Sequence, residues 1–228
     1  MKNTLILFTK EPIAGSVKTR LIPALGEHGA YLFYCQLIKL MLKRFAKSHS
    51  TDFVIYTNQK DSSKNINLPN PDSYFKQYPQ VKTQYGKDLG EKMYNALARE
   101  LHLKEKIRAK KLPSSKKTGQ YKVLLFGADC PFLTKKIIQY ALNSLDTKDM
   151  VFVPVIDGGY VLIGAKRICP EIFQNISWST SKVMLQTLQN LEKLGYSYQL
   201  LETLNDIDEP KDLEILKNNY LAKLLLAK

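Results

Sequence analysis

Short apolar runs alternate with segments of helical periodicity along almost the whole chain, and this alternation constrains the fold more than any other feature. Residues 5–8, 53–56 and 123–126 are apolar runs of strand length. Between the first two, apolar residues recur at three- and four-residue steps up to about Ala46, which predicts an amphipathic helix. Strands that alternate with helices build a mostly parallel sheet with helices on both faces. We therefore predict a single α/β domain over residues 1–228.

The same patterns predict the remaining strands and helices. Short strands are expected at 81–85, 150–155, 161–163 and 198–201. Helices are expected at 89–101, at 134–145 and from a capping Ser179 or Thr180 to Leu194. Pro210 suits the first turn of a C-terminal helix.

The net charge of +13 is concentrated in one segment, which limits what it says about nucleic acids. Residues 104–122 contain eight Lys or Arg residues against the single acid Glu105. The segment also contains Pro113 and Gly119, so we interpret it as a flexible, solvated insertion. Proteins that bind single strands usually place aromatic rings among the cations, and only Tyr121 is available here. We therefore expect small-molecule partners rather than nucleic acid, and keep a non-catalytic polyanion-binding protein as an alternative.

The cysteines and the N-terminal apolar run bear on the cellular compartment. Cys35, Cys130 and Cys169 are odd in number and widely spaced, which fits free thiols better than disulfides or a zinc site. The run near the N-terminus is four residues long, too short for a signal peptide or a membrane span. We expect a cytoplasmic protein without a membrane span.

A basic loop follows the first predicted strand. It contains Lys10, Gly15, Lys18, Thr19 and Arg20, at the edge of an open α/β sheet where ligands bind. If this loop is extended, Lys18 and Arg20 point the same way. Arg matches phosphate oxygens with a planar fork, while Lys acts as a point charge. The loop is thus a candidate nucleotide-binding element, with ordinary solvated residues as the alternative.

Carboxylates follow two later predicted strands. Asp129 comes two residues after Gly127, at the end of a central strand, and Asp206 and Asp208 follow the last one. Carboxylates at this edge can hold Mg²⁺ or Mn²⁺ and leave coordination positions open for phosphate. The alternatives are a turn-forming role for Asp129 and helix capping by Asp208 ahead of Pro210. We expect Asp129, with Asp206 or Asp208, to bind a divalent metal.

A third set of residues is a candidate for binding a second substrate, the acceptor of a transferred group. Asp157-Gly158-Gly159-Tyr160 joins an acid to two glycines that let a backbone approach a ligand closely. An Asp-Gly pair between apolar runs is also a strong hairpin signal, and the two interpretations are compatible. Trp178 could line the acceptor pocket or simply pack at a helix start.

In their order along the chain, these motifs resemble the nucleotide-diphospho-sugar transferase (GT-A) superfamily, and within it the glycosyltransferase-like family of transferases associated with radical-SAM and selenium-related domains. The motifs span nearly the whole chain; they are Lys10-x-Pro12-x-x-Gly15-x-Val17-Lys18-Thr19-Arg20-Leu21, Asp88-Leu89-Gly90-Glu91-Lys92-Met93, Asp129-Cys130-Pro131, Asp157-Gly158-Gly159-Tyr160 with Leu162-Ile163-Gly164, Trp178-Ser179-Thr180 and Asp206-Ile207-Asp208-x-Pro210-x-Asp212-Leu213. Two departures from the family pattern are Lys87, where glycine is expected, and Ala128, where Ser or Thr is common. The resemblance implies a GT-A-like fold, a nucleotide bound by the N-terminal loop and a metal bound through Asp129.

Three functions remain as hypotheses. The first is metal-dependent nucleotidyl transfer from a nucleoside triphosphate to a phosphorylated small molecule, with Lys18, Arg20 and Asp129 as catalytic residues. The second is glycosyl transfer from a nucleotide sugar, with Asp157 or Glu91 near the acceptor. The third is the polyanion-binding protein, acting through residues 104–122.

Overall fold

The structure, a computed structural model, describes most of the chain. The described residues are 3–47, 50–58, 74–78, 80–111, 121–217, 219, 221 and 225, with the side chains of 104–111 and 217 excepted. Residues 112–120, the second part of the predicted basic insertion, lie outside them. In this part of the chain, no helix is long and apolar enough to cross a membrane.

In the part of the chain that the structure describes there are seven strands and five α-helices, at about the positions that the sequence predicts. The strands are β1 (Asn3–Thr9), β2 (Thr51–Thr57), β3 (Val81–Thr83), β4 (Val123–Gly127), β5 (Met150–Pro154), β6 (Tyr160–Ala165) and β7 (Tyr198–Leu200). The α-helices are α1 (Ile22–Phe45), α2 (Leu89–Lys111), α3 (Lys135–Ser144), α4 (Val183–Lys193) and α5 (Leu213–Lys217). Short 3₁₀ helices occupy Thr19–Leu21, Pro170–Phe173 and Pro210–Asp212.

All seven strands form one mixed sheet in the order β3-β2-β1-β4-β6-β5-β7. The strand pairs are parallel except those of β6, which runs antiparallel to both β4 and β5. The antiparallel strand follows directly from the short turn between β5 and β6, since only antiparallel neighbours can be joined by a hairpin. The predicted mostly parallel α/β sheet is confirmed.

The two faces of the sheet carry separate apolar cores because successive strand residues point to opposite sides. On β1, Leu5 and Leu7 pack in the core that also holds side chains of α1 and α3. Ile6 lies in the other core, with residues of α2 and α4. The sheet is therefore sandwiched between two helix layers, as predicted.

Two details differ from the sequence prediction. Neither Ser179 nor Thr180 caps α4: the helix begins at Val183, and Lys182 precedes it without a side-chain cap. Here turns between 177 and 182 bring the chain to the helix, and Thr180 Oγ1 donates to the Ser177 carbonyl oxygen instead. The helix predicted to end near residue 101 continues through Lys111, so the basic segment begins as helix rather than loop. Residues 104–111 are mostly Lys, Arg, Glu and Ala, which favour helix strongly.

An ion pair fixes the far edge of the sheet. Asp149, directly before β5, accepts a hydrogen bond at 2.7 Å from the Ser197 hydroxyl, directly before β7. Its carboxylate also lies 2.8 Å from Arg167 Nε, just after β6. The Arg167 guanidinium, together with Ser197, lowers the pKa of Asp149 below its usual range. These contacts join the chain segments next to three neighbouring strands.

Candidate active site

The strand order creates a crevice between β1 and β4. After β1 the chain leads outward to β2 and β3, whereas after β4 it leads to the other half of the sheet. Such a switch point, at the carboxyl ends of parallel strands, is where open α/β sheets bind ligands. The basic loop after β1 and Asp129 after β4 both start at this crevice.

The basic loop enters the crevice as a tight turn. Val17 and Leu21 are buried at its two ends, 3% and 0% exposed, and anchor it in the core. Lys18 between them adopts a left-handed conformation with φ 48°, and Thr19–Leu21 is a turn of 3₁₀ helix. The extended conformation considered for this loop is therefore wrong, because the buried apolar ends require a turn. Lys18 and Arg20 still converge, since both reach Asp208.

Lys18 is a buried cation surrounded by oxygen atoms. Its Nζ lies 2.6 Å from Asp129 Oδ1 and 3.4 Å from Asp208 Oδ1, and donates at 2.5 Å to the carbonyl oxygen of Ile207. Burial acts to lower the pKa of Lys18, but the charges of Asp129, Asp208 and Asp206 outweigh burial and raise it. The ammonium group therefore remains charged and connects three distant parts of the sequence.

Backbone contacts hold the two acidic loops together. The Ile207 amide donates to the Asp129 carbonyl oxygen at 3.0 Å, and the Cys130 thiol lies 3.2 Å from the carbonyl oxygen of Asn205. Burial raises the pKa of the Cys130 thiol to about 12, so it stays protonated and able to donate. Ile207 itself is fully buried in the core. These contacts set the separation of Asp129 and Asp208.

Asp208 is available for the site because other residues cap the C-terminal helical turn. Glu209 and Asp212 form a capping box around Pro210, so helix capping by Asp208 is wrong. Pro210 occupies the first turn, as predicted. The second oxygen of Asp208 accepts from Arg20 Nη1 at 3.0 Å.

The crevice opens into a cavity of about 500 Å³, here called the switch-point pocket. Five of the predicted site residues line it: Lys10, Lys18, Asp129, Tyr160 and Asp208. Its other polar lining residues are Thr9, Tyr34, Asn58, Gln84 and Lys92. It thus combines three lysines with two carboxylates, and the lysines supply the positive charge that a polyphosphate requires.

Sequence reasoning missed the role of Asn58, Gln84 and Lys92 in this pocket. Gln84 Nε2 donates to the carbonyl oxygens of Thr9 and Tyr56, which fixes the amide across the ends of β1 and β2. Asn58 directly follows β2 and Gln84 directly follows β3, and this position at the end of a strand is the signal that could have identified them. Lys92 belongs to the Asp-Leu-Gly-Glu-Lys-Met motif, and its position on the first turns of α2 directs it to the pocket.

Several predicted residues lie beside the switch-point pocket rather than on its wall. Gly15, with φ 73°, shapes the basic loop, and Thr19 begins the 3₁₀ helix. The Arg20 side chain is 61% exposed beyond the Asp208 carboxylate. Asp206 is half-buried; burial, followed by the charge of Asp157, raises its pKa to about 6.

The carboxylates of the site fit a metal ion bound by two protein carboxylates better than a metal ion bound by three. In the described ranges, no three His, Cys, Asp or Glu side chains form a group that could hold a metal ion. However, Asp129, Asp208 and the Ile207 carbonyl already place three oxygen atoms around one cation, the Lys18 ammonium. Mg²⁺ is commonly bound by one or two carboxylates, with substrate phosphates and water completing the octahedron.

The glycine-rich turn between β5 and β6 has a structural role. Gly158 has φ 88°, and a Cβ there would lie 2.2 Å from the Ser181 carbonyl oxygen. Asp157 Oδ1 accepts from the Gly159 amide at 2.9 Å, and the Met184 amide donates to the Gly158 carbonyl oxygen. The predicted hairpin is therefore present, docked against the start of α4.

Glu91 and Trp178 lie away from the switch-point pocket. Glu91 accepts from the Lys87 amide, and the Glu91 amide donates to Asp88 Oδ1, so these residues shape the start of α2. A Cβ on Gly90 would lie 2.4 Å from the Trp178 ring, so this glycine lets the indole pack closely. Both Glu91 and Trp178 line a different cavity on the other side of α2.

Comparisons with known proteins agree with this architecture. Residues 41–180 match the family DUF2064, described as an uncharacterized protein conserved in bacteria. A crystal structure from Desulfovibrio desulfuricans G20, provisionally named a nucleotide-diphospho-sugar transferase, is 30% identical with a TM-score of 0.77, over 99% of this chain and 94% of that chain. The structure of 4-diphosphocytidyl-2C-methyl-D-erythritol synthase shares the fold at 13% identity, with a TM-score of 0.52 over 99% of this chain and 100% of that one. No curated protein matches the sequence. The predicted GT-A-like fold is confirmed.

Proposed function

The chain belongs to the DUF2064 family, and from the site geometry we propose that it transfers a nucleotidyl group from a nucleoside triphosphate to a phosphorylated small molecule. Its broader class is nucleotide-dependent transferase, in keeping with the relative from D. desulfuricans and the shared fold. This class sets aside the non-catalytic polyanion-binding alternative. A cytoplasmic location and the link to radical-SAM and selenium-related domains stay predictions.

One observation carries the proposal: Lys18 holds the carboxylates of Asp129 and Asp208 at the mouth of a pocket that Lys10 and Lys92 also line. Two carboxylates near one point are costly without a counter-charge, and the buried ammonium supplies it. The pocket thus offers separate cations for a triphosphate and paired carboxylates for a divalent metal. The roles of all these residues are part of the proposal.

The chemical step joins the acceptor to the α-phosphorus. An oxygen of the acceptor phosphate forms a bond to that phosphorus, the bond to the bridging oxygen breaks, and pyrophosphate leaves with the electron pair. Lys10, Lys92 and Arg20 would offset the triphosphate charge, and cations placed where negative charge develops stabilise the transition state. A Mg²⁺ or Mn²⁺ ion held by Asp129 and Asp208 would supply Lewis-acid charge stabilisation at the phosphates.

Product analysis tests this proposal directly. The protein is incubated with each nucleoside triphosphate, Mg²⁺ and a panel of sugar phosphates, and pyrophosphate is measured. We expect enzyme-dependent pyrophosphate release that falls about 10²- to 10³-fold in Lys92→Met. Lys39→Met, at an exposed position on α1, is the matched control and should retain full rate. Release of nucleoside diphosphate from nucleotide sugars, with no pyrophosphate from any triphosphate, would contradict the proposal.

Glycosyl transfer from a nucleotide sugar is the second candidate function. It is favoured by the provisional name of the 30% identical relative. In that reaction the same lysines would bind the diphosphate, and Asp157 would lie near the acceptor. Thermal-shift measurements separate the two donors, because a ligand at 100 times its Kd stabilises the native state by about 2.7 kcal/mol. For a chain of this size, we expect a rise in Tm of about 5–10 °C with the true donor and Mg²⁺.

A further inference from the structure

A second cavity, here called the α2 pocket, lies across the first turns of α2 from the switch-point pocket. Leu89, Lys92 and Met93 face the switch-point pocket, while Glu91 and Tyr94 line the α2 pocket. Its volume is about 440 Å³, enough for a small organic molecule. We propose that the α2 pocket binds a neutral sugar ring, independently of any nucleotide in the switch-point pocket.

Aromatic side chains supply the apolar part of this pocket. Tyr94 and Phe173 lie with ring centroids 6.4 Å apart, and Trp178 packs beside them against Gly90. A sugar ring has faces made of C–H groups, which gain dispersion and hydrophobic energy against flat aromatic surfaces. Tyr94 and Trp178 are both partly exposed and thus accessible to such a ligand.

Two amides supply hydrogen bonds. Gln174 and Asn175 line the α2 pocket and are exposed, and neither side chain has a hydrogen-bond partner among the residues that the structure describes. A side-chain amide can donate and accept at the same time, as each sugar hydroxyl also does. Asn175 has φ 58°, a conformation that holds this side chain on a tight corner of the chain.

The charges favour a neutral ligand. One lysine, Lys87, and two carboxylates, those of Asp88 and Glu91, line this pocket, so an anion such as phosphate gains little there. Both carboxylates also accept backbone hydrogen bonds at the start of α2, and these bonds, together with the charge of Lys87, reduce the attraction of the pocket for an organic cation. Aromatic rings, unpartnered amides and nearly balanced charge together match a polyhydroxylated ring.

Trp178 makes this proposal directly measurable, because it is the only tryptophan in the chain. Its fluorescence is recorded while methyl glucoside, methyl galactoside, methyl mannoside or N-acetylglucosamine is added to the nucleotide-free protein. We expect a saturable change at millimolar concentrations with at least one of these rings, and none with choline. No saturable change up to about 0.1 M, or a change with choline alone, would overturn the proposal.

Two variants test the assigned contacts by calorimetry with the ring that binds. Gln174→Ala and Asn175→Gly should each weaken binding about two- to tenfold, the effect of one lost hydrogen bond. Glycine at 175 tolerates the left-handed backbone, so the fold should be preserved. Gln139→Ala, which removes an exposed amide on α3, is the matched control. Unchanged affinity in both variants would overturn the assignment.

This inference does not depend on the proposed transferase reaction, and the two can fail separately. Pyrophosphate release reports on the switch-point pocket, whereas Trp178 fluorescence reports on the α2 pocket. A triphosphate with Mg²⁺ should leave the sugar affinity within about twofold. Competition between nucleotide and sugar would mean a shared site and would refute the independent pocket.

Discussion

Replacing the buried Lys18 ammonium with an uncharged side chain of similar length tests the central contact of the site. In Lys18→Met, the carboxylates of Asp129 and Asp208 lose a counter-charge at 2.6 and 3.4 Å, and the Ile207 carbonyl loses its donor. Removing one partner of a fully buried ion pair costs about 3–5 kcal/mol. Here the Asp129 and Asp208 side chains are 48% and 42% exposed, so water can solvate them. We therefore expect a loss of about 2 kcal/mol in the free energy of unfolding.

This loss corresponds to a fall in Tm of about 4–8 °C for a chain of this size. It is measured by urea unfolding and calorimetry, with Lys39→Met as the exposed control, which should change stability by less than about 0.5 kcal/mol. A double-mutant cycle of Lys18→Met with Asp208→Asn should show coupling of about 0.5–3 kcal/mol. Wild-type stability in Lys18→Met, or strictly additive effects in the cycle, would refute the argument that this ammonium holds the acidic loops together.

Three further substitutions test the site and the fold. Arg20→Ala removes a mostly exposed cation from Asp208, so unfolding should change by less than about 1 kcal/mol while transferase activity falls about 10²- to 10³-fold; a full-rate enzyme would contradict its role. The pKa of Asp149 is lowered in the folded state, so its carboxylate stabilises the fold above the usual Asp pKa near 4, and this stabilisation is lost as the pH falls. Asp149→Asn should therefore flatten the acid side of a profile of Tm against pH, and an unchanged slope would refute this. Gly158→Ala would place a Cβ 2.2 Å from the Ser181 carbonyl oxygen, at a residue whose φ of 88° favours glycine. We expect the free energy of unfolding in urea to fall by more than about 1 kcal/mol, and an unchanged value would show that the turn relaxes freely.

Much of the fold was predictable because its signals are local. Apolar runs and helical periodicity are properties of neighbouring residues, so most strands and helices could be placed within a few positions. The exception is α2, which continues about ten residues past its predicted end to Lys111. The start of α4 was misplaced because Ser179 and Thr180 have good capping chemistry, but the chain forms turns there and Ser181 packs against Gly158 before the helix begins. Such a contact joins distant segments and leaves no local pattern.

The candidate site was predictable to the extent that the sheet positions it. Lys10, Lys18, Asp129 and Asp208 follow strands whose ends meet at one edge, and the structure brings them to one pocket. The conformation of Lys18 was not predictable, because it depends on burial of the residues beside it. Glu91 and Trp178 line the α2 pocket rather than the switch-point pocket because of the way α2 packs, and motif spacing does not encode that packing.

The contact between Lys18 and Asp208 has a consequence for protein synthesis. The two residues are 190 positions apart, so the lysine leaves the ribosome long before its second carboxylate has been translated. A nascent chain that ends before the 206–209 segment contains the sequences of β1, β2 and β4 but lacks Asp208 and Ile207, which supply two of the oxygen contacts of the Lys18 ammonium. The set of contacts around the Lys18 ammonium is therefore complete only after the last segments of the polypeptide have been synthesised and have docked.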